Sequence, residues 1–414
     1  MSSAETRLGP LRARFVDRPD QYRRALIAIV VLAAVVRIGA LMVQGPKVGV
    51  DSTNYLNQGA EILRQGPLSF LSFVAEQSPL YSLLFALCAA IAGPRADWLI
   101  GIVQALLGAL TALLLAQFTA SATHDRVAGV LAGVIAAIHV TFIFWTAYVL
   151  TDTLLLFVLA LVVWRLPSLG APSHTFMAGL TTSALLLLFV LTRRTNALAS
   201  GVLVLLAGAL GRKRPLVPVG LGLPVAAVVV MLVAGSARSR TGSALGEHVE
   251  AYIWQAFYMG LQWTEEGRAT EGVDIHLSPI VDDAERGVFY RDSSLAWLRA
   301  DPGYFFSQAA RKIRVLWAPF LPEDSTGHKV VNGLYLLPLY ALGVLGWLSS
   351  RRNGLFLAIT TVGLTVFTLV CVVTFVDYDQ RYRLPAELFL IPLSAVGLAR
   401  VLSSASQMKR GIAR

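Results

Sequence analysis

The stretch Leu99–Phe118, LIGIVQALLGALTALLLAQF, runs for twenty residues without a charge. Roughly 20 mostly apolar residues are needed to cross a hydrocarbon core about 30 Å thick, so this segment reads as a transmembrane helix. Leu26–Val36 and Gly354–Val376 are apolar runs of the same kind. Helix is expected for each, because lipid-exposed backbone must satisfy its own hydrogen bonds. No run alternates apolar and polar residues as the strands of a membrane barrel do. The chain of 414 residues is 56% hydrophobic and 14% charged. Soluble domains carry about 25% charged residues, and a chain this long with so few could not cover a water-facing surface.

Outward from that core, apolar segments fall at about 26–43, 78–93, 97–119, 127–145, 151–165, 176–192, 196–210, 215–235, 331–349, 355–376 and 384–402. The expected fold is an all-α polytopic membrane protein with about 11 spans, within a range of 10–12. Residues 1–25 form a tail. A transmembrane module covers 26–235, with a first polar loop at 45–77. A large loop follows at 236–330, then spans over 331–402 and a second tail at 403–414. The large loop holds 13 of the 25 acidic residues, together with Trp254, Trp263, Trp297 and Trp317, which suits interfacial helices with aromatics at headgroup depth.

The net charge of +10 sits in clusters at the ends of apolar runs: Arg12 to Arg24, Arg212–Arg214, Arg351/Arg352 and Lys409/Arg410. That is the positive-inside pattern, not the single basic face of a nucleic-acid binder. It places both tails inside and both large loops outside. Eleven crossings cannot join two tails on one side, so either one segment is re-entrant, with the short 78–93 stretch the first suspect, or one crossing is missed. Cys88 and Cys371 both lie in apolar runs, which argues against a disulfide framework. The first apolar segment has no small-residue cleavage site and reads as a retained span.

Five places carry candidate chemistry. Asp51 follows the first span, where a carboxylate can take a proton from an acceptor hydroxyl; a solvated loop acid is the bland alternative. Arg381 and Arg383 flank Tyr382 at the start of the last span. The guanidinium fork suits phosphate, though Arg and Tyr also anchor membrane boundaries. Arg193 and Arg194 interrupt a long apolar stretch, where arginines are costly and often functional. Thr151 and Asp152 head a span, as helix caps also do. Finally, Ser294–Trp317 reads as a basic, aromatic interfacial helix whose Arg311, Lys312 and Arg314 face anionic lipid. There is no phosphate loop of the Walker type, no Gly-x-Ser-x-Gly elbow and no His/Cys cluster at metal spacing.

Asp51, Tyr55, the run Ala60–Gly66 and then Ser78-Pro79-Leu80-Tyr81 resemble the first outer loop of GT-C fold membrane glycosyltransferases. Within that fold the likeness is to the protein O-mannosyltransferases and the bacterial aminoarabinose-type lipid transferases, glycosyltransferase family 39 and its relatives. Arg381-Tyr382-Arg383-Leu384-Pro385 resembles their run before a late span. Many members carry His or Lys before the Pro of the loop motif, where this chain has Ser78. The resemblance implies an inverting glycosyltransferase, a hexosyl- or pentosyltransferase, using a polyprenyl-phosphate sugar. Asp51 and Asp152 would be catalytic, and Arg381, Arg383, Arg193 and Arg194 would hold the donor phosphate. Tyr55, Tyr81 and Tyr382 would line the substrate site. No cofactor and no metal are expected. The implied partners are a lipid-linked donor, a glycan, lipid or protein acceptor, and membrane lipid, but no nucleic acid. The implied location is a bacterial cytoplasmic membrane, with the site on its extracytoplasmic face. A transporter or flippase is the alternative; it would place charges near mid-span along a pathway, where Arg37 is the main example.

Overall fold

The computed structural model describes residues 19–73, 78–170, 176–193, 196–211, 245–261, 283–320, 324–374 and 381–412. All regular elements among them are helices. The first is α1 (Pro19–Gln44). It buries Ile29, Ala33, Arg37 and Leu41, one residue per turn. Its outer face is equally apolar, with Ile27, Val31, Val35 and Met42 exposed, as a helix facing lipid requires. The first loop holds α2 (Val50–Gln65) and α3 (Pro79–Ala92). Next comes α4 (Ala96–Thr123), the central helix, which packs against α1, α5 (Arg126–Ala137) and α7 (Asp152–Arg165). A short α6 (Val140–Thr146) continues α5 after a bend of 46°. Then follow α8 (Phe176–Thr192) and α9 (Asn196–Gly211).

The second loop contributes α10 (Leu245–Leu261), α11 (Asp283–Ala300) and α12 (Pro302–Trp317). The chain closes with α13 (Thr326–Ser349), α14 (Gly354–Val373) and α15 (Leu384–Ile412), the last preceded by a 3-10 turn at Arg381–Arg383. The helix class and the presence of helices in both loops are as expected. Among the described residues, six helical stretches are long and apolar enough to cross a membrane, or seven if the bent pair α5–α6 counts as one. Helices α8 and α9 are apolar but shorter, and the expected span at 215–235 lies outside the described residues. The count of 11 is therefore not reached here.

The geometry settles which segment fails to cross. Leu41 lies against Gly101, and Arg37 against Gly108. Numbers fall along α1 as they rise along α4, so the two helices are antiparallel. The end of α1 and the start of α4 thus share one end of the bundle, and 45–95 leaves and returns there. Helix α3 runs alongside α2, with Tyr55 on Tyr81 and Gln58 bonded to Ser82. It then turns into α4 at Gly93, whose φ of 53° is open to glycine at little cost. At 14 residues, α3 is about 21 Å long, too short to span alone.

Two devices hold the core. Arg37 donates to the carbonyls of Ala136 and Ala137 at 2.9 and 2.8 Å, closing the C-terminus of α5, where a cation is favoured. Gly346 of α13 and Gly397 of α15 let those backbones touch, since a Cβ at either would meet the facing carbonyl of Leu393 or Leu342. Small residues at such crossings are the usual route to close packing in lipid.

Candidate active site

Four chain segments converge at the end of the bundle where 45–95 returns. Asp51 stands in the first turn of α2, and its Oδ2 accepts from Arg381 Nη2 at 2.9 Å. The partners are 330 residues apart. Arg381 leads the 3-10 turn before α15, and its guanidinium lies 5.2 Å from the Tyr382 ring. Arg193, just beyond α8, approaches the same ring at 5.9 Å. Arg193 donates to Asp152 Oδ1 and to Thr151 Oγ1, both at 3.1 Å. Asp152 is the first residue of α7, where a carboxylate sits favourably at the positive end of the helix dipole. The result is a row: Asp51, Arg381, Tyr382, Arg193, Asp152.

The two acids differ in environment. The Asp51 side chain is 37% exposed, and that of Asp152 only 4%. Two atoms in the row are buried without a partner, Arg381 Nε and Asp152 Oδ2. Buried polar atoms rarely stay unpaired, so the row has unused donor and acceptor capacity.

Tyr55 lies one helical turn after Asp51 and packs edge-on against Tyr81, with ring centres 5.3 Å apart. Burial raises the Tyr55 phenol above the usual tyrosine range; Arg193 opposes the shift, and the Asp51 and Asp152 carboxylates add to it. It is therefore a neutral hydroxyl at physiological pH. Tyr81 donates to Gln104 Oε1 at 2.6 Å, and Gln104 Nε2 donates to the carbonyls of Thr146 and Tyr148. The backbone of Lys47 pairs with Ala147 and Val149 at 2.9 Å each, and its ammonium lies over the rings of Phe144 and Tyr148. Gln104 and Lys47 thus tie the first loop to the approach to Asp152. Neither was a candidate from sequence. For Gln104 there was one signal, an amide in the middle of an otherwise apolar span.

The structure corrects two assignments. Arg383 turns away from the row. Its side chain is fully buried, bonded to Glu387 at 2.5 Å and to the carbonyls of Leu316 and Ala318 at 3.0 and 2.9 Å. With its guanidinium committed to the interior, it braces α12 against α15 and does not reach a phosphate in the row. His139, at the bend between α5 and α6, lies 3.7 Å from the same Glu387. Lys312 does not face lipid either. It is buried and donates to the carbonyls of Val372 and Thr374, both at 2.9 Å, closing the C-terminus of α14. Arg194 lies outside the described residues.

The architecture matches that of an archaeal oligosaccharyltransferase, AglB from Archaeoglobus fulgidus, solved in complex with an inhibitory peptide and a dolichol-phosphate. The TM-score is 0.50 and the identity 12%, over 94% of this chain and 51% of that one. A second structure, the apo form of the Archaeoglobus fulgidus oligosaccharyltransferase, aligns at a TM-score of 0.49 and 13% identity, over 94% of this chain and 51% of that one. The chain spans about half the length of these proteins. No family model matches it, and no curated protein does. The likeness carries the fold and not the family: this is a multi-pass membrane protein with the GT-C fold of membrane glycosyltransferases.

Proposed function

We propose that the protein is an inverting glycosyltransferase that moves a monosaccharide from a polyprenyl-phosphate donor to a cell-envelope acceptor, at the extracytoplasmic face of a bacterial cytoplasmic membrane. The observation that carries this reading is the contact of Asp51 with Arg381. It puts a solvent-reachable carboxylate beside a guanidinium with an unused donor, across 330 residues of the chain. The likeness to a fold whose representative was solved with a dolichol-phosphate supports a lipid-linked donor.

In this reading the acceptor hydroxyl gives its proton to Asp51, and its oxygen attacks the anomeric carbon from the face opposite the phosphate. The bond from that carbon to the phosphate oxygen breaks, and its electron pair leaves with the polyprenyl phosphate. Arg381 and Arg193 stabilise the charge that grows on the departing phosphate, an interaction strongest in the transition state. Tyr55 supplies a neutral hydroxyl and Tyr382 a ring between the two guanidiniums. The step uses no metal and no cofactor. The acceptor is a glycan, lipid or protein.

Purified wild type and Asp51→Asn, given a panel of polyprenyl-phosphate sugars and membrane extract, test the reading. Wild type transfers label from one donor, whereas the variant folds, binds that donor and transfers none. Equal transfer by the two proteins would remove Asp51 from the chemistry. A wild type that binds no donor would favour transport of a lipid-linked or small polar substrate.

A further inference from the structure

Two acids and two guanidiniums make the row neutral. A neutral row is a poor trap for an anionic phosphate, whether the singly charged diester of the donor or the departing monoester with nearly two negative charges, unless one acid steps aside. The pairs are not equally able to do so. Asp152 is held on three counts: it is almost wholly buried, it starts α7, and its arginine also grips Thr151. Asp51 is more than a third exposed and meets Arg381 through one of its two oxygens. Apart from Asp51, the Arg381 guanidinium meets only Tyr382, through a long 3.4 Å contact with its hydroxyl and over its ring at 5.2 Å, among the described residues, and its Nε is unused.

We propose, on the reading given above, that the two pairs do opposite work: Asp51–Arg381 is a latch that the lipid phosphate opens by replacing Asp51, and Asp152 is a positioning residue that keeps Arg193 in place for the same phosphate. The phosphate takes the Arg381 fork, and Asp51 is released toward the acceptor side. The carboxylate is thus freed as base only once a donor is seated, and donor binding precedes acceptor binding. Asp152 takes no proton in the reaction.

The two carboxylates then act on phosphate affinity with opposite sign. The test is equilibrium binding of farnesyl phosphate, with farnesol as the uncharged control, to the purified full-length protein and to Asp51→Asn, Asp152→Asn and Thr151→Val. Asp51→Asn binds farnesyl phosphate about fivefold more tightly, the scale of one partly exposed ion pair. Asp152→Asn and Thr151→Val bind it about fivefold more weakly. Should Asp152→Asn fail to fold, the milder Thr151→Val decides the second half alone. Tightening by both acid variants would mean that each merely repels the phosphate, and would overturn the division of labour. Unchanged or weaker binding by Asp51→Asn would overturn the latch. A wild type that prefers farnesyl phosphate no more than farnesol would sink the donor assignment itself, and this proposal with it.

Discussion

Asp51, Arg381 and Arg383 show how far single residues can be read. Two arginines flanking a tyrosine at a membrane surface look equivalent in sequence. In a 3-10 turn, successive residues point about 120° apart, so positions two apart face different ways. Arg381 therefore faces Asp51, and Arg383 faces Glu387. This difference is testable. Arg383→Met leaves Glu387 buried without its cation, an error that costs about 3–5 kcal/mol; the variant should be lost on detergent extraction or melt far below wild type. Arg381→Met leaves Asp51, which is more than a third exposed, to water and should melt close to wild type while transferring no sugar. Asp51→Asn should lower turnover by about 10²–10⁴, the usual weight of a general base, with its melting temperature unchanged. The candidates Asp51, Asp152 and Arg193 were visible because charges are scarce in so apolar a chain. Their pairing was not visible, since nothing local marks a contact over 330 residues.

At the scale of helices, apolar runs announced the elements, but their partners came only with the fold. Lys312 is the clearest case. In sequence it sits in a basic, aromatic helix suited to anionic lipid; in space it closes the C-terminus of α14. Burial lowers its ammonium from the ordinary 10.5 to about 8, with Cys371 opposing the shift. Between those two values the unfolded chain holds the proton and the folded one does not, so stability rises with pH across that window. Below about pH 8 the lysine is charged in both states and the full cost of burying it applies. Melting temperature in detergent should therefore climb from pH 8 to 10 in wild type, and climb less in Lys312→Met. The α13–α15 crossing gives a second check. Gly346→Leu drives a side chain into the Leu393 carbonyl and should abolish a monodisperse purified protein, whereas leucine at Gly354, which has open space around it, should be tolerated.

For the whole molecule, hydropathy located the apolar segments but could not say which of them crosses. A helix lying along the surface and a short span have the same composition. The antiparallel contact of α1 with α4 decides it by returning 45–95 to the end where it began. Single cysteines at Gln65 and Arg95, in a background without the buried Cys88 and Cys371, should accordingly react with an impermeant thiol reagent from the same side of intact vesicles. Labelling from opposite sides would restore α3 as a crossing. The distance in sequence between Asp51 and Arg381 also bears on how the protein is made. A ribosome delivers Asp51 early, Asp152 and Arg193 midway, and Arg381 with α15. A nascent chain stalled before α15 holds every carboxylate of the row but lacks the guanidinium that engages the first of them. On the proposed function, catalytic competence thus waits for α15, and a chain inserted only as far as α14 cannot turn over donor.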